Sequence, residues 1–147
     1  MQTQVLGQHE VNLIIDLVLS LIAGFIIGSE RESRGKDAGI STHTMVIVGA
    51  MLFTFLSALV DPMSKSRIAA QIVSGIGFLG AGLIVKDGAN VKNLTTAASI
   101  WVAGGIGMAF GFNYHAIGII VTIAVTLIPR IPHLNKKSPE SILESKK

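Results

Sequence analysis

With 147 residues the chain has room for one domain. Half of its residues are hydrophobic and 14% are charged, where soluble domains carry about 25% charged residues. With a mean hydropathy of +0.61, it reads as an integral membrane protein and not as a soluble enzyme. It has no Cys and a formal charge of +3, so a disulfide framework and a Cys-ligated metal or cluster are excluded. The Lys and Arg residues sit in short runs between apolar stretches instead of on one basic face, which argues against a nucleic-acid partner.

In chain order, residues 1–10 contain no Lys or Arg. The positive n-region of a signal peptide is missing there, so the first apolar stretch is expected to stay in the protein. Apolar stretches run over Asn12–Gly28, Thr44–Val60, Ala69–Val85 and Ala97–Ile128. The first three are at the short end of what crosses a bilayer, about 17 residues. The fourth, roughly 48 Å long as a helix, is too long for one crossing of an approximately 30 Å core. Its middle, Gly111-Phe112-Asn113-Tyr114-His115, carries turn formers and polar groups. It splits into Ala98–Phe112 and His115–Ile128, joined by a tight hairpin, and Pro129 and Pro132 end the last helix.

The expected fold is therefore all-α: an integral membrane bundle of about five short, glycine-rich helices over residues 1–131, followed by a polar tail, 132–147. The distribution of positive charge sets the orientation. Five spans with the N-terminus outside put ten Lys and Arg in the cytoplasm and two outside; four spans would leave seven outside. The C-terminus is thus expected in the cytoplasm.

Small residues recur at helical spacing: Gly24 and Gly28 in the first span; Ala70, Ser74, Gly77 and Ala81 in the third; Gly104, Gly107 and Gly111 in the fourth. In lipid, close backbone approach across such residues provides packing energy. Helix packing is their expected role, and lining a substrate path the alternative. Gly75-Ile76-Gly77-Phe78-Leu79-Gly80 matches GxGxxG, but no acid follows between Asp87 and Glu140, so a dinucleotide site is excluded.

Asp16 stands in the first span, where an acid is costly. It either meets headgroups or pairs with Lys65 or Arg67, or it forms a proton or cation site. Gln71 and Ser74 in the third span are expected to hydrogen-bond between helices. Thr95 and Thr96 precede the fourth span as candidate caps, and Trp101 is an interfacial anchor or a packing residue. The four His are scattered without ligand spacing.

The first loop, Glu30–His43, and the third, Lys86–Thr96, fall on the cytoplasmic side. They are expected to share a polar site in which Glu30 or Glu32 reaches Lys92, Asn93, Thr95 or Thr96. Glu30, Glu32, Asp37 and Asp87 could supply the few carboxylates that Mg²⁺ prefers; salt bridges with Arg31 and Arg34 account for the same residues without metal. No other cofactor is evident, and there is no catalytic constellation.

Three ordered segments, GFIIGSERESRGKDAGISTHT (24–44), RIAAQIVSGIGFLGAGL (67–83) and NVKNLTTAASIWVAGGIG (90–107), resemble the MgtC/SapB family of bacterial inner-membrane proteins. The likeness covers about residues 12–128. It implies a compact domain of about five membrane helices and a role in growth or survival at low Mg²⁺. The family motif falls on Glu30, Arg31, Glu32, Gly35, Gly39, Thr42 and His43. It also falls on Arg67, Gln71, Ser74, Gly75, Gly77, Gly80 and Gly82, and on Leu94, Thr95, Thr96, Ala97, Ala98 and Trp101. Ser29 and Ser41 depart from it: an apolar residue and an Arg are usual there. Asp16 lies outside every motif, and the soluble C-terminal domain of longer members is replaced here by a tail. Two functions follow. One is an accessory or regulatory factor that touches itself or a larger membrane complex through its helices. The other is a small oligomeric cation transporter or channel using Asp16 or the cytoplasmic polar site.

Overall fold

The computed structural model describes residues 7–88 and 90–131. Five helices follow one another: α1 (Gln8–Ser33), α2 (Ile40–Val60), α3 (Ser66–Leu83), α4 (Leu94–Gly111) and α5 (His115–Leu127). Four are long and apolar enough to cross a membrane. Helix α5 has 13 residues, about 20 Å at roughly 1.5 Å per residue, and a 3₁₀ turn at Ile128–Arg130 continues it. Pro129 lies in that turn. Pro132 and the tail 132–147 lie outside the described residues.

The 24–44 segment is more helical than expected. Helix α1 runs 26 residues, so Glu30, Arg31 and Glu32 are its last turn and not a loop. Thr42 and His43 likewise belong to the first turn of α2. Straight-chain Glu and Arg lose little rotamer freedom in a helix, and the connector shrinks to Arg34–Gly39, with Gly35 left-handed at φ +63.

The third connector also departs from an all-helical reading. Val85–Asp87 and Asn90–Lys92 pair antiparallel, with Asp87 opposite Asn90. Gly88, the first residue of the two-residue loop, sits at φ +60, a conformation that glycine adopts without steric cost. Asn93 precedes α4 at φ 63 and no side chain caps the helix; Thr95 and Thr96 are inside the helix and are not its caps. The α4–α5 turn falls where the sequence places it, with Asn113 left-handed at φ 62.

Glycines set the helix packing. A Cβ on Gly24 would meet the backbone of Thr44, and one on Gly28 the backbone of Ile40, so α1 and α2 run antiparallel in close contact. Gly107 rests on Ile47, Ala50 and Met51, and Gly111 on Met51, Thr54 and Phe55, which aligns α4 parallel to α2. Gly104 receives the Ile76 side chain and Gly80 faces Ala97 at ordinary contact distance, joining α3 to α4. Two apolar clusters fill the remaining space. One contains Ala23, Ile27, Ile47, Ala103 and Phe110, the other Ala50, Ala69, Ile72, Ile76 and Ile100.

Gly75, Gly77 and Gly82 are a correction: a Cβ on any of them would meet open space. Ala70, Ser74, Gly77 and Ala81 are all exposed. The stripe on α3 faces away from the bundle, because α3 buries the opposite face through Ala69, Ile72, Ile76 and Gly80.

The five helices alternate in direction. The α1–α2 connector, the β-hairpin and the end of α5 share one end of the bundle, here called the loop end. Reporter fusions at Lys36, Asn90 and Lys147 should read cytoplasmic, and fusions at Val60 and Asn113 exterior. An exterior signal at Lys147 would refute the five-span count.

Candidate functional site: the polar clusters at the two ends of the bundle

At the loop end the Glu30–His43 and Lys86–Thr96 segments meet, through different side chains than expected. Arg31, 3% exposed, donates from Nη2 to Thr96 Oγ1 at 3.1 Å. Asn93 Nδ2 donates to Asp37 Oδ2 at 2.6 Å. Glu30 instead faces Arg34 Nε at 2.5 Å, just past the end of α1. Glu32 Oε1 accepts from the Ile40 backbone N–H at 2.9 Å, so an α1 carboxylate satisfies an orphan donor at the start of α2 and sits at the positive end of its dipole. A Cβ on Gly39 would strike that carboxylate. The pairing explains why a glycine must follow at that distance from Glu32.

His43 is fully buried. Its Nδ1 lies 2.9 Å from the Gly39 carbonyl and its Nε2 3.2 Å from Ser99 Oγ. A carbonyl only accepts, so Nδ1 carries a proton and, in the neutral ring, Nε2 accepts from the Ser99 hydroxyl. That hydroxyl carries a single proton, for which the Thr96 carbonyl at 2.8 Å competes with Nε2. Arg31, Thr96, Ser99 and His43 thus form one buried chain linking α1, α2 and α4. Thr42 and Thr95 are exposed.

The four carboxylates considered for Mg²⁺ are not gathered together. Glu30 faces Arg34, Glu32 caps α2, Asp37 accepts from Asn93, and Asp87 pairs with Lys92 at 2.8 Å. Among the described residues no group of three or more His, Asp or Glu could hold a metal ion.

At the opposite end, Asp16 is fully buried and not shallow, since α1 begins two turns earlier. It pairs with neither Lys65 nor Arg67. His115 Nε2 lies 2.6 Å from Asp16 Oδ1, tying α1 to the start of α5, and Arg67 faces Asp61 at 3.6 Å. Asp16 Oδ2 and Thr54 Oγ1 are buried without a hydrogen-bond partner among the described residues. The α1–α2 and α4–α2 registers put Asp16 and Thr54 at a similar height. The signal for the pair in sequence is weak, 99 residues separating two polar groups at the ends of apolar stretches. Gln71 and Ser74 face outward on α3 and bridge no helices of the bundle. Trp101 is 55% exposed.

A groove of about 560 Å³ runs between α2 and α3, lined by Met45, Gly49, Phe53, Gln71, Gly75 and Leu79 among others. A smaller cavity of about 280 Å³ lies at the loop end between α1, α4 and α5.

The MgtC family model matches residues 17–134. The chain is 44% identical over 112 residues to Protein MgtC of Salmonella typhimurium (strain LT2), covering 76% of this chain and 48% of that protein. It is 44% identical over 115 residues to Protein MgtC of Brucella abortus, covering 76% and 48%. It is 42% identical over 129 residues to the protein named "Putative magnesium transporter YhiD" of Escherichia coli (strain K12), covering 82% and 60%. No solved structure matches the chain. The chain spans about half the length of the curated relatives it matches. Matched over most of its length, and with its Glu-Arg-Glu turn, its α3 glycines and its Leu-Thr-Thr turn placed as described, the chain belongs to the MgtC family.

Proposed function

We propose that this chain is an accessory or regulatory protein of the bacterial inner membrane in adaptation to low magnesium, acting by helix contact with a second copy or another membrane protein. The observation that carries the reading is the outward face of α3. Ala70, Ser74, Gly77 and Ala81 share that face, and Gly77 has open space where a side chain would stand. Inside the bundle, glycines such as Gly24 and Gly107 are filled by a neighbouring backbone. On α3 the same chemistry is turned toward the surroundings, with the Ser74 hydroxyl within it. Small residues and interhelical hydrogen bonds are what join helices in lipid. The magnesium context comes from the family and from the name borne by the Escherichia coli relative.

Gly77→Leu separates contact from folding. The variant should keep its detergent stability within about 0.5 kcal/mol, the range of surface substitutions. It should fail to restore growth at low Mg²⁺ in a strain lacking the protein. Normal growth supported by Gly77→Leu would refute the contact reading.

Asp16, a buried carboxylate with an unpartnered oxygen, favours a second reading, a small cation transporter. Liposomes containing the protein and a Mg²⁺ dye distinguish the two. The accessory reading expects no flux, whereas flux abolished by Asp16→Asn would establish transport.

A further inference from the structure

The cavity at the loop end is not used by either reading. Its polar half is formed by Arg31, Arg34 and Lys36 from the end of α1 and the following connector, with the Thr95 and Ser99 hydroxyls of α4. Among the described residues no Asp or Glu lines it. The nearest carboxylates are engaged: Glu30 faces Arg34, and Asp37 accepts from Asn93. Three cations against two neighbouring carboxylates leave the cavity positive. Arg31 adds a second sign of an absent anion. It is 3% exposed, and its Nε is buried with no acceptor while Nη2 is bound to Thr96. Glu30 is a charge neighbour of Arg31 but makes no hydrogen bond to its Nε, and planar donors of this kind match phosphate oxygens.

The other half is apolar: Val102 of α4, Val125 of α5 and Ile128. A polar cationic end and an apolar end in one cavity of about 280 Å³, near the roughly 300 Å³ lower bound of ligand pockets, suit a headgroup and the first methylenes of an acyl chain. Charge distribution puts this end at the cytoplasmic leaflet, where anionic lipids are found.

We propose that this cavity binds the phosphate of an anionic phospholipid, the headgroup held by Arg31, Arg34, Lys36 and the two hydroxyls and the chain lying against Val102, Val125 and Ile128. The same cations could hold a free phosphate, and the apolar half is what selects the lipid.

The test is a titration of the full chain in an uncharged detergent, read by native mass spectrometry. The probes are phosphatidylglycerol, phosphatidylcholine with identical acyl chains, and inorganic phosphate. Phosphatidylglycerol should bind at one site per chain, and more tightly than phosphatidylcholine. Two variants probe the cavity without touching the buried Arg31–Thr96 bond. Lys36→Gln should weaken phosphatidylglycerol about fivefold, one interfacial charge's worth. Ala98→Phe, which fills the cavity and removes no charge, should abolish the site. Equal binding of the two lipids, or phosphatidylglycerol binding unchanged in both variants, would overturn the proposal. Inorganic phosphate that displaces phosphatidylglycerol at equal concentration would assign the site to a soluble phosphate and overturn the lipid.

Discussion

Gly107→Leu should prevent the bundle from assembling, while Gly77→Leu should leave it intact. A Cβ at Gly107 would fall on the Ile47 carbonyl oxygen, 2.8 Å from Ala50 Cβ and 3.0 Å from the Met51 nitrogen. Two of these three atoms are backbone, so no rotamer change relieves the clash and α2 must move away from α4. In lipid that movement is not opposed by a hydrophobic drive, because acyl chains are as apolar as the helix surface. What is lost is dispersion contact along the seam, and a radial gap of about 0.5–1 Å already forfeits a quarter to a half of each contact. Gly107→Ala alone should cost about 1–3 kcal/mol, the usual range for overpacking, and leucine more. Gly111, which meets the Met51 oxygen and the Phe55 nitrogen, should behave like Gly107. Gly104→Ala should be milder, because it meets the far end of the Ile76 side chain. Ile119→Leu, at a position 44% exposed, is the neutral control. Retention of the folded species in mild detergent measures every one of these variants. Equal loss in Gly107→Leu and Gly77→Leu would refute the division between inner and outer glycines.

That division marks how far the sequence could be read. Spacing put Gly24, Gly28, Gly104, Gly107 and Gly111 on helix faces, and a Cβ on each would meet a neighbouring helix. It could not say that Gly75, Gly77 and Gly82 look outward, because a small-residue stripe has the same period on either face of a helix. The number of helices was legible from apolar length, and the α4–α5 turn from Asn113. The hairpin at Val85–Lys92 was missed although Asp87-Gly88 signals such a turn, since three-residue strands carry almost no periodicity. The meeting of the first and third connectors followed from topology alone. Which side chains meet did not, because Glu30 and Glu32 find nearer partners in Arg34 and the Ile40 amide, leaving Arg31 and Asp37 to reach across. The buried pairs His43–Ser99 and Asp16–His115 join residues 56 and 99 positions apart, and no local pattern encodes such contacts.

His115→Leu should destabilise the protein more than removal of both members of its pair. Asp16 is fully buried and Oδ1 accepts from His115 Nε2 at 2.6 Å, while Oδ2 has no partner. The Ser20 hydroxyl does not help the carboxylate, because it donates to the Asp16 backbone carbonyl at 2.7 Å. His115 is therefore the group on which the buried carboxylate depends, and it is also the first residue of α5, a helix too short to hold its position by length. Removing one partner of a buried pair typically costs about 3–5 kcal/mol, because the other is left uncompensated. Replacing both by apolar residues is often close to neutral. The expected order of unfolding free energy is thus wild type and Asp16→Leu/His115→Leu at the top, with His115→Leu alone well below. Unfolding titrations in bicelles give the four corners of the cycle, and the interaction between the two sites is read directly from their non-additivity. A double variant no more stable than His115→Leu would mean that α5 is held by something other than this pair, and that Asp16 tolerates burial without it.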